Sequence, residues 1–396
     1  MEVVRLKGNC MKSKRKIFLH GWYGCNNSGD DALLSIISKT ITQAVSGVEI
    51  TIQVPQSGQL PPLPDCVNVN RISPLFKGYV TLRKILAILA SDILIFGGGS
   101  IMTDINEQRM KGLRSLHCIC RFAKFKGVPI IFTGLGVGPF VSQKGIDLAK
   151  SVLDMAEVVE LRDKTSYELC KKISVSSHIV ESFDPAVLLH KELQQSNGMK
   201  SRDNKVPIIG ISLSESSGTI SSSKEKEILK IDRLVCAIKD VCRLQSICIA
   251  GIEMCSNTFY SDAEILKILL GKLQNICEVK YIRYQPDPVK MLHDLSILDG
   301  IIAERLHAAI FAYIVGTPFA VIPYHSKCAA FAKDVGLSGR YLLDTEIRPD
   351  QIKEVIMSQI NDGKLCLPKM TIEEACSKAN LGQDIISGKI KHLLFK

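Results

Sequence analysis

The chain has 396 residues, 46% apolar and 23% charged, with a formal net charge of +10. That length exceeds the roughly 250 to 300 residues at which one core stops growing, so two domains are expected, and the composition excludes a disordered or fibrous protein. The charge is spread along the chain apart from one cluster, Arg5, Lys7, Lys12, Lys14, Arg15 and Lys16. With no interleaved aromatics or reading motif, no nucleic-acid partner is expected; an anionic small substrate or an anionic membrane surface suits the charge equally.

The fourteen cysteines sit singly in apolar stretches, which is the usage of buried free thiols in a reducing compartment. The apolar run after Lys16 is interrupted by His20 and glycines, unlike a signal peptide. The greasiest region, Ile85 to Phe96, is broken by Ser91 and Asp92 and falls short of the roughly 20 residues that span a bilayer. A cytoplasmic protein, soluble or peripheral to a membrane, is expected.

From the N-terminus, Ile17 to Leu19, Val48 to Val54, Ile93 to Phe96, Pro129 to Thr133 and Val158 to Leu161 read as strands. Helical patterns separate them, as in the stripe Leu33, Leu34, Ile36, Ile37 and Ile41. After a polar segment the alternation restarts with Pro207 to Ser212, Ser246 to Ala250, Val279 to Tyr284, Gly300 to Ala303 and Pro318 to Pro323. The expected fold is α/β, with two doubly wound Rossmann-like domains, 1–195 and 207–396, joined by a linker at 196–206 and facing a cleft. Ligands belong near the carboxyl ends of the strands.

Several groups at those ends carry chemistry. The first strand leads into Gly21-Trp22-Tyr23-Gly24-Cys25-Asn26-Asn27-Ser28-Gly29-Asp30-Asp31, a loop that lets a ligand approach a helix start. Ser28 and Asp31 fit a capping box, which leaves Asp30 as a base toward a hydroxyl or as a simple dipole charge. Phe96 to Ser100 and Gly134 to Pro139 read as glycine turns after strands, and neither completes a dinucleotide or P-loop fingerprint. Arg162, closing a strand, is a fork for a carboxylate or phosphate or else the partner of Asp163, itself placed to cap the next helix. In Ala303-Glu304-Arg305-Leu306-His307-Ala308 a strand hands over to a helix that stops at Gly316, so Arg305 and His307 sit in its first turn, against the usual dipole preference. Tyr324-His325-Ser326-Lys327 puts another cation at the same edge, and together these groups describe a pocket for a multiply charged anion.

In order and spacing, the loop from Gly21 to Ala32, Asp92 to Gly99, Gly134 to Pro139, Arg162-Asp163-Lys164, Asp184-Pro185-Ala186 and Glu304-Arg305-Leu306-His307-Ala308 resemble the polysaccharide pyruvyl transferase family. The resemblance covers most of the chain. It implies the type B glycosyltransferase architecture, phosphoenolpyruvate as donor and a sugar, free or lipid-linked, as acceptor, with no cofactor or metal. Arg305, His307 and Lys327 would bind the donor's phosphate and carboxylate, helped by Arg162, while Asn27 and Asp30 would face the acceptor. His307 would protonate the donor, since an imidazolium is accessible near neutral pH. Two positions depart from the family pattern, Asp31 for a common glutamate and His325 for a frequent acid. Two other functions share the fold: a glycosyltransferase using a nucleotide sugar, for which Glu304 is the available ribose-binding acid, and a non-catalytic sugar-binding assembly protein.

Overall fold

Short runs in which nearly every residue is apolar form strands covered on both faces, and here they are the centres of two parallel sheets. The computed structural model describes residues 14–73, 78–196, 206–214, 224–257 and 261–396. The first domain runs β1 (Lys16–His20), α1 (Ser28–Ala44), β2 (Glu49–Pro55), β3 (Val67–Ile72), α2 (Tyr79–Leu89), β4 (Ile93–Met102), α3 (Glu107–Phe125), β5 (Ile130–Val137), α4 (Gln143–Leu153), β6 (Val158–Leu161), α5 (Lys164–Lys172) and β7 (His178–Glu181). A short 3-10 turn, Pro185–Leu188, leads into α6 (Leu189–Gln195). The second domain runs β8 (Ile208–Ser212), α7 (Lys224–Cys242), β9 (Cys248–Ile252), α8 (Ala263–Leu273), β10 (Glu278–Ile282), α9 (Pro288–Ser296), β11 (Gly300–Ala303), α10 (Leu306–Val315), β12 (Phe319–Val321), α11 (Ser326–Asp334), α12 (Pro349–Asn361) and α13 (Ile372–Leu394).

The strand orders are β3-β2-β1-β4-β5-β6-β7 and β10-β9-β8-β11-β12, with every pair parallel. This is the doubly wound arrangement expected from the sequence. In each sheet the order reverses beside the first strand, between β1 and β4 and between β8 and β11. Such a switch point opens a crevice at the carboxyl edge.

Alternate residues of the first sheet serve two cores. Phe18, Phe96 and Phe132 face the layer made by α2, α3, α4 and α5, whereas Ile17, Leu19, Ile131 and Val158 face α1 and α13. The last helix therefore does not stay with the segment 207–396. Its early residues Ala375 and Ala379 join the second core, but Ile386, Ile390 and Leu394 pack under the first sheet. The crossing is pinned at Glu160, a wholly buried carboxylate in β6 that accepts hydrogen bonds from Gln383 Nε2 at 2.8 Å, Ser182 Oγ at 2.8 Å and Thr133 Oγ1 at 2.5 Å. Of the linker at 196–206, residues 197–205 lie outside the described ones. Among the described residues, no helix is long and apolar enough to cross a membrane.

The two glycine segments differ from their sequence reading. The first lies inside β4, which continues through Gly97-Gly98-Gly99, and most of the second lies inside β5, which runs through Gly134 to Val137 and leaves only Gly138-Pro139 beyond the strand. Gly98 and Gly99 take positive φ where the β4–β5 register slips, so the glycines bend a strand rather than start a turn.

Candidate active site

The carboxyl edges of the two sheets face each other because the loop after β1 is bound to the loop after β9. Ser28 N donates to Met254 O at 3.0 Å, Ser256 N donates to Asn26 O at 2.9 Å, and Asn27 makes an antiparallel bridge with Cys255. Asn27, not Ser28, caps α1: its Oδ1 accepts from Gly29 N at 3.0 Å and Asp30 N at 3.5 Å. Ser28 is buried inside the helix, which removes the expected capping box, and the Asn27 oxygen is engaged by its own helix. Asp31 accepts from Tyr284 Oη across the cleft at 2.6 Å. Burial pushes the Asp31 carboxyl well above the usual range, with the tyrosine bond opposing.

Asp30 is different. Among the described residues nothing hydrogen-bonds or ion-pairs with its carboxylate. Enclosure raises its pKa to about 7, against the pull of Lys327, Arg162 and Arg109, while Asp184 adds to the rise. Lys327, in the first turn of α11, mirrors it. Its half-buried ammonium has no hydrogen-bond or ion-pair partner among the described residues, and burial lowers its pKa to about 8, with Arg162, Arg109 and Arg305 contributing. His325 caps that helix, its Nδ1 accepting from Lys327 N at 3.3 Å, and burial lowers its pKa to about 4.

Between them lies a buried network. Arg162 extends from the end of β6 and donates from Nη1 to Asp184 Oδ2 at 2.9 Å and from Nη2 to Ser100 Oγ at 3.1 Å. Its partner is thus Asp184, while Asp163 caps α5 through Ser166 N at 2.7 Å. His307 Nε2 stands 3.7 Å from the same Asp184 oxygen and is buried without a hydrogen bond. Desolvation, with Arg162 and Lys327 adding, outweighs Asp184 and lowers the His307 pKa to about 4. The imidazole is therefore neutral at pH 7, which removes the basis on which the sequence made it a ready acid.

Arg305, at the N-cap position of α10, turns to a different acid. Its Nε donates to Asp262 Oδ1 at 3.0 Å, and Nη2 bonds the same oxygen. Asp262, buried, also accepts Met254 N and Cys255 N, so Arg305 braces the loop after β9. The structure thus brings Asp30, Arg162, His307 and Lys327 together and ties Arg305 to a structural carboxylate. Glu304 is likewise engaged, accepting from Lys230 Nζ at 2.8 Å and Ser214 N at 2.7 Å.

Two groups at the site were given no role in the sequence reading. Asp184 lies in a motif, but its place at the sheet edge depends on β7, a strand too short and polar to recognise. Arg109, exposed in the first turn of α3, acts electrostatically on Asp30, His325 and Lys327. An arginine two residues into a helix was a visible signal, of the same kind as that at His307. A small, partly open space bounded by Arg162, Asp184, Leu306, Lys327 and Phe331 is about 20 Å³, room for about one water. Among the described residues, no cluster of three or more His, Cys, Asp or Glu could hold a metal ion.

Two parallel α/β domains with a charged cleft between their carboxyl edges define the type B glycosyltransferase architecture, and solved structures show the same fold. A UDP-GlcNAc 2-epimerase from Methanocaldococcus jannaschii, in complex with UDP-GlcNAc and UDP, superposes with a TM-score of 0.60 over 94% of this chain and 99% of its own, at 11% identity. A putative UDP-N-acetylglucosamine 2-epimerase from Listeria monocytogenes gives 0.60 over 96% of both chains at 10% identity, and a trehalose 6-phosphate synthase from Burkholderia multivorans gives 0.52 over 96% and 98% at 9%. At such identities the likeness extends to the fold alone. The family model described as polysaccharide pyruvyl transferase matches residues 27–326, and the chain belongs to that family of transferases. A curated relative, the amylovoran biosynthesis protein AmsJ of Erwinia amylovora, is 20% identical over 258 residues, 62% of this chain and 60% of the relative's length.

Proposed function

We propose that the protein transfers the pyruvyl group of phosphoenolpyruvate to two hydroxyls of one sugar, in a polysaccharide or its precursor, forming a cyclic ketal. The observation that carries this reading is the pair Asp30 and Lys327, a carboxylate and an ammonium that have no partner among the described residues, held in the cleft beside Arg162. Leaving two ionisable groups desolvated and unpaired is costly, and a ligand with both hydroxyl and anionic groups relieves it. A non-catalytic assembly protein has no reason to retain that cost. A nucleotide-sugar enzyme would need a free ribose-binding acid, and Glu304 is engaged by Lys230.

Lys327 and Arg162 neutralise the donor's phosphate and carboxylate, and Arg305 adds positive potential at longer range. A proton is added to the donor methylene, giving the central carbon oxocarbenium character. One sugar hydroxyl attacks that carbon, with Asp30 taking its proton. Phosphate then leaves with its bonding electron pair, the second hydroxyl adds to the same carbon, and its proton passes to the departing phosphate as the ring closes. His307 enters this scheme as a neutral imidazole. An anionic donor beside it stabilises the imidazolium, so donor binding itself arms the acid.

The test is incubation with phosphoenolpyruvate and a panel of nucleotide- and lipid-linked sugars. Phosphate release that depends on the acceptor, with a product heavier by one pyruvylidene group, is expected. Release without acceptor, an enol ether product, or turnover of a nucleotide sugar instead would overturn the proposal.

A further inference from the structure

Helix α2 packs inward through Ile88 and Ala87 but carries a leucine stripe on its outer face. Of its eleven residues only Ile88 is buried, while Leu82, Leu86 and Leu89, spaced i, i+4, i+7 on one stripe, are 45%, 49% and 51% exposed. A globular helix normally turns such a stripe to the core. Beside it in the same layer lies α3, whose buried residues Leu113, Leu116, Cys120 and Ala123 point to the sheet. The opposite stripe of α3 presents Lys111, Arg114, Arg121 and, at its end, Phe125, which is 80% exposed. Lys126 reaches back over the Phe125 ring at 5.2 Å. The two helices carry two cations in α2 and five in α3 against one acid, Glu107, which Lys111 already engages at 2.8 Å.

We propose that this outer face of the first domain docks on an anionic lipid bilayer, the leucine stripe and Phe125 entering the headgroup boundary and the arginines meeting acidic headgroups. Charge chooses the occupant. A second copy of the chain meeting this face by twofold symmetry would set like charges against one another. The topology adds direction: both helices run antiparallel to the strands they connect, so their amino ends open toward the cleft. A bilayer along this face therefore presents a lipid-borne sugar at the level of Asp30. The docking rests on the surface alone and stands whether or not the cleft chemistry proposed above is correct.

The full chain is to be sedimented with vesicles of phosphatidylcholine, alone or mixed with phosphatidylglycerol, at low and high salt. Binding to the mixed vesicles alone is expected. It should weaken about fivefold for each cation removed, as in Arg114→Ala and Arg121→Ala, and should fall with salt. Leu86→Asp, at a solvent-facing position, should abolish it while the thermal melt is unchanged. No pelleting with mixed vesicles at low salt would overturn the proposal. So would wild-type binding by these variants, which would assign lipid affinity to the basic N-terminal cluster. A dimer in light scattering that Leu86→Asp converts to a monomer would assign the face to self-association instead.

Discussion

At the scale of single residues, Asp30 and Lys327 are perturbed in opposite directions by the same cause. Removal from water raises the acid to about 7 and lowers the base to about 8, so each group is pushed toward its neutral form. For Asp30 the folded pKa lies above the unfolded value, so its stabilising contribution is present at low pH and is lost as pH rises through about 7. For Lys327 the folded pKa lies below the unfolded value, and the contribution is lost as pH falls through about 8. Near neutrality both charges are present at a cost to the fold. Asp30→Asn should therefore raise the melting temperature more at pH 8 than at pH 5, while lowering turnover by roughly 10² to 10⁴. As the base, Asp30 must be ionised, and Lys327 must be charged to hold the donor. The profile of kcat/KM for the donor should thus rise through about pH 7 and fall above about pH 8. Asp30→Asn should lose the rising limb. A flat profile, or an Asp30→Asn enzyme at the parent rate, would return Asp30 to a charge at a helix end.

At the scale of elements, the site depends on how closely the start of α1 approaches α10. Gly29 lies against the His307 ring, where an added Cβ would fall 2.0 Å from Nδ1. Gly29→Ala must therefore displace either α1 or the imidazole. It should cost about 1 to 3 kcal/mol in a thermal melt and weaken donor binding in titration. Gly112→Ala is the control, since a Cβ there meets open space in the middle of α3 and should stabilise by roughly 0.5 to 1 kcal/mol. Equal melts for the two variants would mean that the α1–α10 contact is loose. What the sequence revealed follows from what elements are made of. Central strands such as β1, β8 and β11 read plainly because they are apolar on both faces, and Gly316 marked the end of α10, taking φ of 66° there. The edge strands β3 and β7 were illegible, since Val67–Ile72 and His178–Glu181 are half polar. The cations of the cleft were visible as residue types at a strand end, for Arg162, and at helix starts, for Arg305, His307 and Lys327. Their partners were not: Asp262 lies 43 positions from Arg305 and Asp184 lies 22 from Arg162, and only packing decides that the first pair braces a loop while the second lines the cleft.

For the whole molecule, the division into halves at 195 and 207 fails at the C-terminus, because the amino end of α13 belongs to one core and its carboxyl end to the other. Ile386 and Ile390 are shielded from water beneath the first sheet, and full burial of such side chains is worth on the order of 1.5 to 3 kcal/mol each. Gln383 also supplies one of the donors that keep the Glu160 carboxyl satisfied at the centre of that sheet, and losing a buried partner costs roughly 1 to 3 kcal/mol. Set against a typical stability of about 5 to 15 kcal/mol, deleting residues 381–396 should leave the first domain marginal or unfolded. The second core keeps Ala375 and Ala379, so the damage should be one-sided. Hydrogen exchange read by mass spectrometry distinguishes the cases. Protection should be lost in β1, β5 and β6, more than 200 positions away in the chain, and retained in β8 and β11 beside the cut helix. Loss confined to the second domain would mean that 207–396 is a self-contained unit after all. Loss in the first domain would make α13 the clamp that fixes Arg162 and Asp184, carried at the ends of β6 and β7, against His307 and Lys327 on the other side of the cleft.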